Sequence, residues 1–364
     1  MTTDRRTLLG RLTAGENLSL EATADAVHGI MAGDWPEGEI ALFLTTLRDK
    51  GETAQEVAGA ATAMRGHMRK LRTSRTGLID TCGTGGVGSH LFNVSTTAAL
   101  VTAAAGVPVA KHGNRKVTSR SGSADVLAEL GVNVQAEFET VERCLEELGI
   151  CFCFAPLMHT AMKHVMPVRQ KLGTRTIFNL LGPLTNPAGA EYQLLGVGRD
   201  ELRPLLADAL KLLGTKRATV VSGEGGLGEV TIAGPSHATE VRAHSIPKEW
   251  KQPSQGNAAG HFIPEGIYQM NELRWTPEDF DVAVQPIDAL AVDSPAASAA
   301  IVREVLAGKQ GPAREIVVVN AAAALWTAGK VEDTHAAAQL AREAIDSGAA
   351  RELLAKLVAM TNTQ

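Results

Sequence analysis

Residues 111–125 read KHGNRKVTSRSGSAD, a polar and largely basic stretch between two apolar ones. The run before it, residues 107–110, predicts a strand, and the run after it, residues 126–131, predicts a helix that ends at a glycine. A loop leading from a strand into a helix is where α/β proteins bind ligands. Because helix N-termini favour anions and Lys and Arg add positive charge, the stretch predicts an anionic ligand, most simply a phosphate. The alternative interpretation is a solvated basic loop.

The composition narrows the class of protein. A chain of 364 residues is long for one hydrophobic core and suggests a large domain with a smaller companion. Its 35 Lys and Arg against 40 Asp and Glu give a net charge of -5, which disfavours a nucleic-acid partner. The cysteines lack the spacing of a metal site, and Cys151 and Cys153 fall in an apolar, strand-like run. A polar amino terminus and the lack of a long apolar segment predict no membrane contact and a cytoplasmic location.

Residues 1–72 predict a small all-α domain, to which part of the 170–190 region is expected to be joined. Ser19 is placed to cap one of its helices, and Thr53 with Glu56 has the spacing of a capping box. The domain carries apolar stripes but no set of residues that indicates chemistry of its own.

Residues 73–364 predict a large α/β domain around a mainly parallel sheet, because short apolar runs alternate there with helical stretches. Strands are predicted at residues 78–80, 107–110, 151–155, 194–197, 218–222 and 315–319. Helices are predicted at residues 95–105, 123–130, 141–148, 201–213, 296–307 and 321–328, and in the alanine-rich carboxyl-terminal part. Residues 235–288 predict an irregular or antiparallel elaboration.

A second loop, CGTGGVG at residues 82–88, follows the first predicted strand. Its glycines let the backbone approach a ligand, and Asn93, Ser95 and Thr96 follow at the start of the next helix. This arrangement predicts a cradle for a phosphate or diphosphate. It matches neither the Walker A loop nor the GxGxxG dinucleotide pattern.

A third polar region follows the predicted strand at 151–155. His159, Met162 and Met166 have the spacing of one helical face, which for a methionine stripe more often indicates core than site. Arg169 and Arg175 come next, before a tight turn rich in proline.

Three long motifs make the sequence resemble the anthranilate phosphoribosyltransferases. They are GTGG with NVST, KHGNRKVTSRSGSADVL, and HTAMKHVMPVRQKLGTRTIFNLLGPLTNPA, and the likeness extends from the amino-terminal helices to VVVNAAAAL. The resemblance implies a pentosyltransferase of tryptophan biosynthesis, usually a homodimer. Such an enzyme uses Mg²⁺ to transfer phosphoribosyl from phosphoribosyl diphosphate (PRPP) to the amine of anthranilate.

Site residues follow from this resemblance position by position. The PRPP-binding residues it implies are Gly83, Gly85, Gly86, Asn93, Ser95, Thr96, Lys111, His112, Gly113, Asn114, Arg115, Ser119 and Ser123. The anthranilate-binding residues it implies are Gly83, His112, Asn114, His159 and Arg169. The metal ligands it implies are Ser95 and Glu229.

The sequence departs from the family pattern at three notable positions. Val87 stands where the glycine loop usually ends in Asp, and Leu91 stands where a threonine usually precedes Phe-Asn. Gly228 replaces the Asp of a metal-binding Asp-Glu pair, so that Glu229 remains. With fewer oxygen ligands, up to two Mg²⁺ ions are expected, the second weakly bound. Asp80, Asp200 and Glu224 are candidates for replacing the lost carboxylate.

These departures leave alternatives open. One is another reaction on the same fold, such as a nucleoside phosphorylase or a transferase with a different acceptor. Another is a non-catalytic paralogue. A homodimer through the amino-terminal helices is also expected, because Ile40, Phe43, Leu44 and Leu47 form an apolar stripe, although the stripe could instead pack within the helical unit.

Overall fold

The computed structural model describes residues 4–85, 90–115, 121–245 and 267–363, and its elements are numbered here in chain order. The helices are α1 Arg5–Thr13, α2 Leu20–Ala32, α3 Glu37–Lys50, α4 Ala54–His67, α5 Val94–Ala104, α6 Ser123–Glu129, α7 Phe138–Arg143, α8 Ala155–Met158, α9 Met166–Leu172, α10 Phe178–Leu181, α11 Leu202–Leu212, α12 Pro295–Leu306, α13 Pro312–Thr327, α14 Thr334–Asp346 and α15 Ala349–Asn362. The strands are β1 Ile79–Gly83, β2 Val109–Gly113, β3 Ile150–Phe154, β4 Tyr192–Gly196, β5 Arg217–Gly223, β6 Ser236–Ser245 and β7 Ile267–Trp275. Within these ranges, no helix has both the length and the apolar character needed to cross a membrane.

The described strands form a seven-stranded sheet in the order β3-β2-β1-β4-β5-β6-β7. Strands β1 to β5 pair in parallel, whereas β6 and β7 are antiparallel to their neighbours. The predicted fold class, a small all-α domain with a large α/β domain and a mainly parallel sheet, is confirmed. Of residues 235–288, β6 and β7 form the antiparallel elaboration, whereas residues 276–288 are irregular with short 3-10 turns. Residues 246–266 lie outside the described residues.

Side chains predicted to cap the amino-terminal helices do so. The Ser19 hydroxyl accepts a hydrogen bond from the Ala22 backbone N–H, and Thr53 and Glu56 form the predicted capping box. The buried Glu56 carboxylate also accepts from the Leu18 backbone N–H at 2.9 Å and pairs with Lys50 at 2.9 Å. One residue thus ties the start of α4 to the α1–α2 loop and to the end of α3.

The apolar stripe on α3 packs inside the helical domain. Ile40, Phe43, Leu44 and Leu47 are buried within a single chain. The sequence-based reason for placing a dimer interface on this stripe is therefore wrong, because burial inside the domain already satisfies its hydrophobic surface.

The segment between β3 and β4 packs against the helical domain. Val165, Val168 and Ile177 belong to the same buried cluster as the cores of α1–α4 and α11. This packing supports the proposal that part of the 170–190 region belongs with the helical domain, whose boundary at residue 72 stays a prediction.

The predicted strand at residues 315–319 is wrong, because these residues lie within α13. Pro312 occupies its first turn, where its fixed φ suits a helix. The helix packs against α5, α14 and β4, and its valines, Val317 to Val319, are fully buried. Periodicity cannot tell whether a short apolar run is a buried strand or part of a buried helix. Here burial in the tertiary structure overrides the β-propensity of valine.

Candidate active site

Glycines let three backbones approach closely where β1 and β4 end. A β-carbon on Gly83 would lie 2.7 Å from the carbonyl oxygen of Gly196, and a β-carbon on Gly196 would lie 1.7 Å from the carbonyl oxygen of Gly228. No larger residue fits at Gly83 or Gly196 without moving the backbone. The strand ends open into a cavity of about 380 Å³.

The cavity brings together most of the predicted site residues. Those that line it are Gly83, Gly85, Asn93, Ser95, Lys111, His112, Gly113, Asn114, Arg115, Ser123, Arg169 and Glu229. Thr96 and His159 are instead buried behind the wall, with 1% and 7% of their surface exposed. Gly86, Ser119 and Val87 lie outside the described residues.

Lys111 presents a nearly buried ammonium group to the cavity. It is the third residue of β2, and its Nζ donates to the Thr81 carbonyl at 2.6 Å and to Ser95 Oγ at 3.4 Å. Burial lowers the pKa of Lys111, and the charge of Asp80 acts in the opposite direction. A cation fixed in this way, with little reorganisation needed, is suited to an anionic ligand.

Asp80 supports this wall from behind. Its carboxylate is fully buried and accepts from the His112 backbone N–H at 3.1 Å and from Asn186 Nδ2 at 2.8 Å. Because Asp80 does not line the cavity, it does not replace the missing carboxylate there. Asp200 and Glu224 are exposed and also lie outside the cavity lining.

The start of α5 is tied to the loop that precedes α6. Asn93, the N-cap residue of α5, donates from Nδ2 to the Ser121 carbonyl at 3.1 Å and accepts from Thr96 Oγ1 at 2.8 Å. Thr96 therefore orients Asn93 from behind the wall, where the resemblance implied a PRPP contact. The Val94 N–H donates to the Phe92 carbonyl at 2.7 Å, whereas the N–H groups of Ser95 and Thr96 have no partner among the described residues and are available to an anion.

His112 and His159 form a buried pair whose two Nε2 atoms face each other. His112 Nδ1 donates to the Gly182 carbonyl at 2.9 Å, so in the neutral ring Nε2 accepts from His159 Nε2, 3.1 Å away. Burial lowers the pKa of both rings, to about 3 for His159, where the His112 charge adds to the effect. Neither ring is thus suited to carry a positive charge at neutral pH.

Arg169, on α9, lines the same cavity with a partly exposed guanidinium. Its Nη2 donates to Asn179 Oδ1 at 3.4 Å, and the group lies 5.7 Å from the centre of the Phe178 ring. Burial lowers the pKa of Arg169. No carboxylate pairs with Arg169 among the residues that the structure describes, so its charge remains available to a ligand.

The predicted helical face of His159, Met162 and Met166 is not formed. The chain instead passes from α8 through a 3-10 segment, Thr160–His164, into α9. Met166 is 39% exposed, so the interpretation of the stripe as core is wrong at this position.

Glu229 is the only carboxylate among the described residues that line the cavity. Burial raises the pKa of Glu229 to about 7, and the nearby Lys111 charge partly opposes this. The segment is held by Asn320 of α13, which accepts from the Val230 N–H at 3.0 Å and donates to the Val230 carbonyl at 2.8 Å. Gly228 is not in the left-handed region, and a β-carbon there would lie 3.6 Å from its nearest neighbours.

Several lining residues were not predicted from the sequence. They are chiefly Arg175, Phe178, Asn179, Pro183 and Asn320. A weak indication for Asn179 was present in the sequence, because it is a polar residue in an apolar run that follows Arg169 and Arg175. Asn320 carried none, because its helix was interpreted partly as a strand.

Comparison with known families gives matches along most of the chain. The family model described as "Glycosyl transferase family, a/b domain" matches residues 75–256 and 258–351. The model described as "Glycosyl transferase family, helical bundle domain" matches residues 6–68.

Curated relatives agree with this assignment. An anthranilate phosphoribosyltransferase of Anaeromyxobacter dehalogenans is 48% identical over 353 residues, which cover 97% of each chain. One from Moorella thermoacetica is 45% identical over 351 residues, 96% of each chain.

Solved structures share the fold over nearly the whole length. The anthranilate phosphoribosyltransferase of Thermus thermophilus superposes with a TM-score of 0.85 at 40% identity, covering 98% of this chain and 99% of that one. The Saccharomyces cerevisiae enzyme in complex with PRPP and Mg superposes with a TM-score of 0.83 at 26% identity, covering 99% and 98%. The chain therefore belongs to the anthranilate phosphoribosyltransferase family.

Proposed function

We propose that this protein transfers the phosphoribosyl group of PRPP to the amine of anthranilate, giving N-(5-phosphoribosyl)anthranilate and diphosphate. The observation that carries the proposal is that a single cavity is lined by groups suited to two kinds of ligand. Its lining combines a buried ammonium and a helix N-terminus, which suit phosphates, with a guanidinium that has no carboxylate partner among the described residues, which suits a carboxylate.

The PRPP half comprises the edge of the sheet and the loop after β2. Lys111, Asn93 and Ser95 are proposed to hold the diphosphate, with Gly83 and Gly85 beside them. Ser123 lies at the start of α6, and its hydroxyl donates to the Asn114 carbonyl at 3.3 Å. That bond ties the Asn114 backbone to the start of α6.

The anthranilate half is proposed to lie between Arg169 and Asn114, with His112 at its inner wall. Arg169 would meet the carboxylate of the substrate, because a guanidinium can donate two parallel hydrogen bonds to a carboxylate. His112 uses Nδ1 for the Gly182 carbonyl and Nε2 for His159, which leaves the pair to shape the wall rather than to exchange protons.

The chemistry needs little acid-base catalysis. An arylamine is unprotonated at neutral pH, so it can attack the ribose carbon as diphosphate leaves. We propose that the chain acts by placing the amine next to that carbon and by stabilising the charge that develops on the leaving group. Lys111 is the side chain placed best for the second task.

Ser95 and Glu229 are the cavity residues whose oxygens would hold a Mg²⁺ ion, since Mg²⁺ prefers oxygen ligands and is usually bound together with substrate phosphates. Among the described residues no group of three or more His, Cys, Asp or Glu could hold a metal ion. When bound with PRPP, the ion would neutralise charge on the diphosphate. We propose up to two ions, the second weak, because Gly228 provides no carboxylate.

We also propose a homodimer through the amino-terminal helices and a cytoplasmic location. With the α3 stripe buried, the apolar group left on that helix is Leu42, which is 42% exposed. The cysteines are all free thiols, as suits a reducing compartment. Light scattering at micromolar concentration tests the dimer; a monomer mass would refute it.

The loss of anthranilate fluorescence on addition of PRPP and Mg²⁺ tests the activity directly. Equimolar release of diphosphate is the expected result. If anthranilate is left unchanged while another amine or a nucleoside reacts, the protein is a same-fold transferase or phosphorylase. If no acceptor reacts although PRPP binds, it is a non-catalytic paralogue.

A further inference from the structure

Asn179 stands between Arg169 and the backbone on the acceptor side of the cavity. It lies on α10, is partly buried and lines the cavity. Its Oδ1 accepts from Arg169 Nη2 at 3.4 Å and from the Thr176 backbone N–H at 3.0 Å. The same oxygen thus fixes the turn before α10 and the guanidinium across from it.

The orientation of this amide follows from its partners. Oxygen and nitrogen of an Asn side chain are assigned from the hydrogen bonds they make. Both partners here are obligate donors, so the oxygen must face them and the NH₂ group must point away from them. Its two N–H donors have no partner among the residues that the structure describes.

The neutral amide also matters for what Arg169 can bind. A carboxylate at this position would pair with the guanidinium and compete with a ligand for it. An amide oxygen holds the guanidinium by a weaker, neutral hydrogen bond and leaves its charge for the ligand. The additional N–H donors of Asn179 then lie beside that charge.

We propose that Asn179 is a specificity-determining residue of the acceptor site: its amide oxygen orients Arg169, and its NH₂ group helps to select an acceptor that carries a carboxylate. The inference rests on the proposed function, in which Arg169 receives the carboxylate of anthranilate.

Asn179→Asp is the sharpest test, because the shape is kept and an oxygen remains for the Thr176 N–H. A purely structural Asn179 would tolerate it. We expect the KM for anthranilate to rise roughly ten- to a hundredfold, because the new charge pairs with Arg169 and repels the substrate. The Kd for PRPP should stay within about twofold of the wild-type value. With the neutral analogue 2-aminobenzamide, kcat/KM should change little. The ratio of kcat/KM for anthranilate to kcat/KM for 2-aminobenzamide should therefore fall.

Three further variants complete the experiment. Asn17→Asp makes the same chemical change at an exposed position distant from the cavity and should leave all constants unchanged. Asn179→Ala tests the site without an added charge and should raise the KM for anthranilate about fivefold. Arg169→Gln reports on the proposed function itself.

The outcomes separate the two ideas. If Arg169→Gln weakens anthranilate but Asn179→Asp leaves its KM within about twofold, or weakens both acceptors equally, the inference about Asn179 is refuted. If Arg169→Gln leaves anthranilate unaffected, the assignment of the acceptor half fails instead.

Discussion

The two halves of the cavity are built in different ways. On the side proposed to bind PRPP, Lys111 is 4% exposed and is held at 2.6 Å by a strand carbonyl, so its charge is fixed by the sheet. On the side proposed to bind the acceptor, Arg169 is partly exposed and donates at 3.4 Å to Asn179 of the short helix α10. A rigid cation suits a ligand that is bound the same way throughout the reaction. A more loosely held one suits a smaller substrate that must be positioned against it.

This contrast predicts the largest effect at Lys111. Lys111→Met should lower kcat/KM for PRPP about a hundred- to a thousandfold, because a preorganised charge facing the leaving group is lost. PRPP titration calorimetry and steady-state kinetics measure the effect. Lys309→Met, at an exposed lysine paired with Glu304, is the control. A Lys111→Met enzyme with normal PRPP kinetics would show that the rigid half is not the diphosphate site.

On the acceptor side the expected effect is smaller and selective. Arg169→Gln should raise the KM for anthranilate roughly thirty- to a hundredfold, corresponding to about 2–3 kcal/mol for a charge-assisted contact. The Kd for PRPP should hardly change. If the variant instead keeps its anthranilate KM and loses PRPP binding, the two halves have been exchanged in the proposal.

The same contrast decides what the sequence could predict. The anion loops were predictable because strand ends, glycines and basic residues lie next to each other in the chain, as in residues 111–125. The acceptor side depends on contacts between segments, such as Arg169 with Asn179, that spacing does not encode. The link of Asn320 to Val230 joins residues far apart in sequence, and the helix that provides it had been predicted partly as a strand. Resemblance to a family supplied the role of Glu229, which no local pattern indicates.

The buried histidine pair extends the comparison to pH. The ordinary pKa of histidine, 6.5, falls to about 3 for His159 in the folded chain, mainly because of burial. Above pH 6.5 His159 is neutral in both the folded and the unfolded chain. As the pH falls from about 6.5 towards 3, the unfolded chain takes up a proton on His159 that the folded chain does not, so the free energy of unfolding decreases.

His159→Gln removes that titration. The difference in free energy of unfolding between wild type and variant should shrink by about 1–3 kcal/mol between roughly pH 7.5 and pH 4.5. Urea unfolding at both pH values measures it, with exposed His237→Gln as the control. A constant difference would mean that His159 takes up its proton at the same pH in the folded and the unfolded chain.

The smallest effect is expected at Gly228, where the rigid half lacks the carboxylate of its family. Gly228 is outside the left-handed region, and a β-carbon there meets only ordinary contacts at 3.6 Å, so the backbone can accept Asp. A second carboxylate next to Glu229 adds negative charge for the ion. Gly228→Asp should therefore lower the Mg²⁺ concentration for half-maximal activity roughly two- to fivefold, whereas Glu229→Gln should raise it.

A Mg²⁺ titration of Gly228→Asp and Glu229→Gln tests this prediction. Gly38→Asp, on α3, is the control for added negative charge outside the cavity lining. A β-carbon at Gly38 meets no atom within 4 Å, so that variant changes charge without strain. If all three proteins follow the wild-type curve, the ion takes its ligands from PRPP and water alone. Gly228 would then act only as the backbone against which Gly196 of β4 packs.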